Sequence, residues 1–135
     1  MNNKGFTLIE LVATIALLAI LSVISIVSIN SVLEKRKVTN CENIIDNINI
    51  AIKEYVSDNR YGNVETSITA DKLINEHYLT NKIVNPFTDR TVDPKSIKIS
   101  IKLENFSFES ATIMNSNNVV IKCSDENTFS KVYID

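Results

Sequence analysis

The longest apolar stretch of the chain lies close to its N-terminus. Residues 11–29 include no charged residue, glycine, proline or asparagine, and their polar side chains are limited to Thr14, Ser22, Ser25 and Ser28. A helix of this length spans about 28 Å, close to the hydrocarbon thickness of a bilayer. From residue 30 onward the pattern is that of a soluble protein. The chain is therefore predicted to have one membrane-spanning segment followed by a small globular body.

A second apolar pattern, with helical periodicity, follows this stretch. Beyond a basic cluster at residues 35–37, apolar residues recur at helical spacing with charged and amide side chains between them. The members of this apolar face are Cys41, Ile44, Ile45, Ile48, Ile52, Tyr55 and Val56. Because no helix breaker occurs between residues 6 and 58, the two patterns predict one continuous helix over about 6–58. Turn-forming residues at 59–62 mark its end.

The remainder of the body combines a short helix with strands. A helix is predicted over residues 70–78, with Thr69 as its cap, and a loop follows through residues 85–88. The helix is expected to bury Leu73, Ile74 and Leu79.

Residues 97–103 alternate between large aliphatic and polar side chains, which indicates a strand with one buried face. Three further candidate strands lie at 106–113, 119–123 and 129–134, separated by asparagine and serine clusters. Short strands that are close in sequence favour an antiparallel meander. The predicted class is α+β, with the long helix over about 6–58 packed on a small antiparallel sheet of about four strands.

Composition limits the size of the body and the chemistry it can carry. The chain has 135 residues, a formal net charge of −2 and only two glycines and one histidine. A glycine-rich phosphate loop, a multi-histidine metal site and a Ser/His/Asp triad are therefore not predicted. His77 is expected at the surface or its boundary. The sequence predicts no enzyme and no cofactor.

The sequence contains two weaker candidate ligand sites. Asp89, Asp93 and Asp125 could contribute oxygen ligands to a hard cation, but their spacing does not require a metal, and none is predicted. Lys98 and Lys102 share one strand face without stacking aromatic residues, so they are interpreted as the solvated face of the sheet. The sequence does not favour nucleic acid as a partner.

Two cysteines, Cys41 and Cys123, both follow the apolar stretch. If that side of the membrane is extracellular, they can form a disulfide that closes a loop of about 80 residues and stabilises the fold by about 4 kcal/mol. The alternative is a pair of buried free thiols, since cysteine packs as a small hydrophobic residue.

Glu10 distinguishes between the possible roles of the N-terminal segment. A conventional secretory signal has a shorter apolar stretch and a small-residue cleavage site after it, and neither is present here. A plain membrane anchor fits the length but does not explain a carboxylate at the start of the apolar run. An ionised carboxylate in lipid costs about 2.5 kcal/mol or more, so Glu10 is a functional candidate. The alternative is a carboxylate that reaches the headgroup level and has little effect.

Residues 4–10, with the sequence Lys-Gly-Phe-Thr-Leu-Ile-Glu, resemble the class III signal of type IV prepilins and pseudopilins. The resemblance implies a type IV pilin-like fold. It also implies cleavage between Gly5 and Phe6 by a prepilin peptidase and N-methylation of Phe6. The corresponding organisation is a removed leader at 1–5, a transmembrane and filament-core helix at 6–30, and an extracellular globular domain at 31–135.

Cleavage would leave a cationic amine on Phe6 near the lipid-embedded Glu10. An amine and a carboxylate that pair inside a bilayer relieve each other's desolvation. Within one subunit the pair would neutralise charge locally. Between subunits it would set the axial register of a helical polymer, with Glu10 of an incoming subunit meeting Phe6 of the last subunit added.

Small residues occupy every third position of the apolar helix. A ridge of small residues forms a groove for a neighbouring helix, and the serines can bond across it or back to their own backbone. The members are Ala13, Ala16, Ala19, Ser22, Ser25 and Ser28. The alternative is that alanine and serine are simply tolerated in a spanning helix. Pilins often have glycine and proline where this chain has Ala19 and Val27, so no built-in kink is predicted here.

Charge flanking the helix opposes the orientation that the resemblance implies. Residues 35–37 are Lys-Arg-Lys, whereas only Lys4 and the terminal amine precede the span. The positive-inside rule alone would place the body in the cytoplasm. The resemblance implies a single-pass precursor in the inner (cytoplasmic) membrane that later becomes part of an extracellular pilus or pseudopilus.

The sequence therefore predicts a structural filament subunit. Its expected partners are itself or other pilins, the prepilin peptidase and the membrane platform of an assembly machine. The first alternative is a minor, tip-located pilin that acts in adhesion or DNA uptake. The second is an anchored extracellular domain that never polymerises.

Overall fold

The computed structural model describes residues 5–60, 62, 64–80, 82–129 and 131–134, without the side chains of residues 25–28. In chain order its elements are α1 (Leu8–Asp58), β1 (Ser67–Thr69), α2 (Ala70–Asn75), β2 (Lys98–Glu104) and β3 (Ser107–Met114). Two short 3-10 turns, Pro94–Ser96 and Glu126–Thr128, precede β2 and follow β3. The chain divides into two compact units, Met1–Arg36 and Lys37–Asp135.

The described part of the first unit is the beginning of α1. Its large apolar side chains are exposed on all sides of the helix, as a spanning segment requires. Within α1, the most apolar 18-residue window has a mean hydropathy of 2.7, so the helix is long and apolar enough to cross a membrane.

The second unit contains a three-stranded antiparallel sheet in the order β1-β2-β3. Ile99 in the middle strand is paired with Ile68 on one side and with Ile113 on the other. Ile99 and Ile101 of β2 are buried and Leu103 is half-buried, whereas Ser100 and Lys102 are exposed, which confirms the predicted alternation. The sheet and the long helix together confirm the predicted α+β class.

The core of the second unit is formed by one face of α1 and by the side chains that cover it. Tyr55 and Ile52 from the helix belong to the same buried cluster as Leu73 from α2 and Ile97 and Ile99 at β2. The predicted apolar face of α1 is therefore the face that packs, with Ile44 and Ile45 at its half-buried margin.

The identity of the strands differs from the prediction. In the part of 119–123 and 129–134 that the structure describes, only isolated bridges form, among them Val120 with Met114 and Tyr133 with Val92. The third strand is the unpredicted β1. Side chains take over the backbone bonds that a longer strand would need. The hydroxyl of Thr128 accepts from the N–H of Lys122 at 2.7 Å and donates to its carbonyl at 3.0 Å.

Tyr133 holds the C-terminal segment against the loop at 85–88. The buried Asn85 side chain donates to the Tyr133 hydroxyl at 3.2 Å, and the Arg90 guanidinium lies 4.1 Å from the centre of the Tyr133 ring. These side-chain contacts add to two backbone hydrogen bonds beside the Val92–Tyr133 bridge, from Asp93 N–H to the carbonyl of Val132 at 2.8 Å and from Ile134 N–H to the carbonyl of Thr91 at 3.0 Å.

The second helix is shorter than predicted, because it ends at Asn75 and not at residue 78. His77 has a φ of 67°, and the N–H groups of His77 and Tyr78 donate to the carbonyls of Ile74 and Leu73. These two bonds form a Schellman motif, which satisfies the last carbonyls of the helix and ends it. Leu79 is half-buried.

Thr69 occupies the predicted N-cap position of α2, but its side chain makes no capping hydrogen bond. The same residue is the last of β1, where it pairs with Lys98. The N–H of Ala70 donates instead to the carbonyl of Ile97 at 3.0 Å, so the sheet partly replaces the expected cap.

Candidate assembly site at the start of the long helix

Thr7 and Glu10 form a reciprocal pair of hydrogen bonds at the start of α1. The backbone N–H of Thr7 donates to Glu10 Oε2 at 3.1 Å, and the backbone N–H of Glu10 donates to Thr7 Oγ1 at 3.3 Å. This arrangement is a capping box, in which the two side chains satisfy N–H groups that have no partner within the helix. The sequence signal of a capping box is a threonine followed three residues later by a glutamate, which Thr7 and Glu10 satisfy. From the sequence, Glu10 is predicted to act in assembly, and this cap is not predicted.

The capping box places the Glu10 carboxylate beside the peptide that joins Phe6 to Thr7. The positive end of the helix dipole also favours a carboxylate at this position. The capping bond uses one oxygen, and a carboxylate has about four lone-pair sites, so acceptor capacity remains for an amine. Glu10 can therefore start its own helix and still accept a charged partner.

Phe6 and Gly5 precede the helix and are exposed, Phe6 with 86% of its surface accessible. A Cβ added at Gly5 would meet none of the described residues within 4 Å. The described part of the chain thus does not itself require glycine at this position. The exposed residues on either side of the 5–6 peptide bond, which lie outside the helix, suit a segment that enters a protease.

The small residues of the apolar helix are exposed where they are described. Ala13, Ala16, Ala19 and Ser22 lie on its surface, whereas the side chains of Ser25 and Ser28 are outside the described residues. On a helix with 3.6 residues per turn, each step of three positions turns the ridge by about 60°. The ridge therefore winds around α1, and its members face different directions.

Two hydroxyl groups in the apolar part of this helix bond to their own backbone. Thr14 Oγ1 donates to the carbonyl of Glu10 at 2.8 Å, and Ser22 Oγ donates to the carbonyl of Leu18 at 2.7 Å. Such bonds satisfy a hydroxyl donor where no water is present, so these residues are compatible with a lipid environment without a partner helix.

Cys41 and Cys123 are joined by a disulfide, with a Cα–Cα distance of 5.6 Å. Cys41 is buried on the packed face of α1, and Cys123 is half-buried in the segment that follows β3. The bridge connects residues that are 82 positions apart in the sequence, so it holds an otherwise irregular segment to the helix.

The remaining candidate ligands have structural roles. Asp93 and Asp125 accept hydrogen bonds from the N–H groups of Lys95 and Asn127, at 3.0 Å each, and so cap the two 3-10 turns. Asp89 lies in a turn with a φ of 58°. The described residues contain no cluster of three or more histidine, cysteine or acidic side chains that could hold a metal ion. His77 is exposed.

The two lysines of β2 contact other residues of the chain. Lys98 is half-buried and donates to the carbonyl of Ser116 at 3.2 Å and to Asn118 Oδ1 at 3.1 Å. Lys102 is exposed and forms an ion pair of 3.2 Å with Glu109. The interpretation as a solvated face therefore fits Lys102 better than Lys98.

Comparison with known proteins bears on the N-terminal segment. The family model described as the prokaryotic N-terminal methylation motif matches residues 1–26. No curated protein and no solved structure matches the chain. The motif implies processing by prepilin peptidase and assembly into pilin polymers. The chain thus carries the class III signal of type IV pilins at its N-terminus, and its long helix with a small antiparallel sheet fits the type IV pilin-like fold.

Proposed function

We propose that the chain is a structural subunit of an extracellular type IV pilus or pseudopilus and polymerises through α1. The observation that carries this proposal is Glu10. It is an acidic residue at the start of an exposed apolar helix, inside the methylation motif and four positions after the residue that cleavage would expose. A plain membrane anchor would gain nothing from a carboxylate at the start of its apolar run, where an ionised group is costly in lipid.

In the proposed mechanism, removal of residues 1–5 creates an amine on Phe6 and methylation follows. The amine of the last subunit added attracts Glu10 of an incoming subunit, because both charges are poorly solvated in the membrane. The exposed apolar surface of α1 then leaves lipid for contact with neighbouring copies of α1. The second unit remains outside and forms the surface of the filament.

The disulfide supports this orientation. Disulfides persist in oxidising compartments, and Cys41 and Cys123 both lie on the C-terminal side of the apolar segment. Their bond argues that the body leaves the cytoplasm, against the direction that the positive-inside rule assigns from residues 35–37.

The proposal is tested by mass spectrometry of the chain in filaments sheared from cells. We expect Phe6 as the first residue, with a methyl group on its amine. A Gly5→Leu variant is the matched control and should stay unprocessed and remain in the membrane. An intact Met1, or a cut beyond residue 29, in surface-exposed wild-type protein would contradict the proposal.

The copy number in the same filaments separates a body subunit from a tip subunit. Many copies along each filament are expected. One or a few copies at the end of each filament would favour the tip-located alternative in adhesion or DNA uptake.

A further inference from the structure

The turn between β2 and β3 has an unusual second residue. Glu104 and Ser107 are paired, so Asn105 and Phe106 form a two-residue hairpin loop. Their φ values are 52° and 62°, as in a type I′ turn. Asparagine is common at the first position of this turn and glycine at the second, because a side chain at positive φ meets its own backbone. Phe106 is therefore in a conformation that is strained for a bulky residue.

The ring of Phe106 gains little burial in compensation, because 78% of the residue is exposed. Its side chain thus strains the backbone of its own subunit and contributes little buried area to offset that strain. Glycine would relieve the strain at almost no loss of buried area. Contacts among the described residues consequently do not account for an aromatic residue at this position.

Two cations flank the ring. A cavity of about 190 Å³ is bordered by Phe106, Phe108, Lys53 and Arg60, and a second one of about 510 Å³ shares Phe106 and Arg60. Arg60 donates to Ser107 Oγ at 3.2 Å, and Lys53 lies 5.7 Å from the centre of the Phe108 ring. Among the described residues, no acidic side chain lines either cavity. We define Phe106, Lys53 and Arg60 as the aromatic-basic tip.

A complementary surface lies at the other end of β3. Phe106 directly precedes Ser107, the first residue of β3. Met114, the last residue of β3, is bridged to Val120. Val119 and Val120 are exposed apolar residues, and Glu126 is an exposed acid nearby in the chain. We define residues 119–126 as the apolar-acidic segment. The segment also contains one exposed cation, Lys122. Asp125, which is bridged to Lys122 through the backbone, is exposed and adds a second carboxylate to that of Glu126.

The placement of the two surfaces suits a polymer. An eight-residue strand separates them by about 26 Å, so they cannot meet within one subunit. Complementary patches at opposite ends of a protomer make a heterologous contact, which repeats without closing when the subunits are arranged helically. A filament also holds neighbouring copies at high effective concentration, so a modest contact area is sufficient.

We infer that the aromatic-basic tip of one subunit docks on the apolar-acidic segment of a neighbouring copy of this chain. Phe106 packs on the Val119–Val120 surface, and Lys53 and Arg60 face Asp125 and Glu126. The inference rests on the proposed function, because it requires copies of the chain in one filament.

Photo-crosslinking tests the contact directly. The full chain with p-benzoylphenylalanine in place of Phe106 is expressed in cells that form filaments, irradiated, sheared and digested. We expect crosslinked dimers in which residue 106 is joined to a peptide from 119–126. The same amino acid in place of the exposed Ser67 is the control and should not capture that peptide. Capture of another region, of another protein, or of nothing from intact filaments would overturn the inference.

A Phe106→Gly variant separates assembly from stability. In detergent-solubilised full-length protein its thermal midpoint should rise by about 4 °C, since the strain of a bulky residue at positive φ is removed and little buried area is lost. The yield of sheared filaments should fall several-fold, whereas Phe106→Tyr should keep the wild-type yield. A lower midpoint would mean that the ring stabilises its own subunit, and a normal filament yield would mean that it has no partner; either result overturns the inference.

Charge reversal tests the ionic half of the contact. Arg60→Glu and Glu126→Arg should each lower filament yield, and the double variant should recover most of the loss. Absence of recovery, with both single variants folded and processed, would contradict the proposed pairing. If wild-type cells form no filament that contains the chain, the proposed function fails. If filaments form and their yield is unchanged by the substitutions of Phe106 and Arg60, only this inference fails.

Discussion

At the scale of single residues, Glu10 has two roles that a substitution can separate. Its carboxylate accepts the capping bond from Thr7, and in the proposed mechanism it also meets the amine of Phe6. Glutamine keeps an acceptor oxygen for the cap but loses the charge, whereas alanine loses both.

We predict that Glu10→Gln and Glu10→Ala both lower filament yield by about tenfold or more, because the charge pair with the Phe6 amine is lost in each. Thr7→Ser is the matched control, since it keeps the hydroxyl of the capping box and should assemble normally. The measurement is the ratio of sheared to cell-bound subunit. Normal assembly of the glutamine variant would show that the cap alone matters.

Tyr78 is a residue whose protonation is linked to folding. Its hydroxyl donates to Asp58 Oδ2 at 3.0 Å, and its ring meets Tyr55 edge-on at 5.8 Å between centroids. Partial burial and the hydrogen bond to the Asp58 carboxylate raise the pKa of the Tyr78 phenol above its ordinary value of 10.0. Both effects favour the neutral phenol in the folded state.

Because the folded-state pKa is the higher one, this stabilisation is fully present below the unfolded pKa of about 10 and is lost as pH rises through the folded-state pKa. We predict that the free energy of unfolding of the wild type falls more steeply above about pH 10 than that of Tyr78→Phe. Urea unfolding of solubilised protein at several alkaline pH values measures it. Identical slopes for the two proteins would contradict the linkage.

At the scale of elements, α1 performs two different tasks with one continuous helix, Leu8–Asp58. The described apolar residues before the basic cluster are exposed all round, whereas most of those after it lie on one packed face, with Ile50 as an exposed exception. Local sequence determines both parts, because each follows from the spacing of apolar residues along a helix. The same locality explains why the prediction of this element was confirmed nearly to the residue.

The disulfide is a covalent link between α1 and the irregular segment after β3, in addition to the burial of Ile121 and Phe129 in the shared core. We predict that the double variant Cys41→Ser and Cys123→Ser loses about 4 kcal/mol of unfolding free energy, since a loop of about 80 residues is no longer closed in the unfolded chain. Urea unfolding of oxidised protein measures the loss. Reduced wild type is the control and should resemble the variant; equal stability of oxidised and reduced wild type would contradict the prediction.

The β-strands show where local reasoning fails. Segments 119–123 and 129–134 have strand-like composition, yet the Thr128 hydroxyl occupies the N–H and the carbonyl of Lys122, which a longer ladder would use. Conversely, Ser67–Thr69 is too short to be recognised from its composition and becomes a strand because Lys98–Ser100 lie beside it. Strand identity here depends on partners distant in sequence.

At the scale of the whole molecule, a motif at residues 1–26 and a body with a three-stranded sheet have different roles in the proposed filament. The motif implies processing by prepilin peptidase, and in the proposal the body supplies the surfaces that meet solvent and neighbouring subunits. The proposed contact between the aromatic-basic tip and the apolar-acidic segment assigns a role in the filament to the body as well, in addition to the contacts of α1.

The sequence by itself determined the long helix, its apolar first part, the signal around Gly5 and Phe6, and the α+β class. These features depend on residues that are neighbours in the chain, so periodicity and short motifs record them. Only the tertiary structure decided which segments pair as strands, that Cys41 and Cys123 are joined, and that His77 ends α2. It also revealed the strained, exposed ring of Phe106. These outcomes depend on backbone geometry and on contacts between residues far apart in sequence, and no local pattern contains that information.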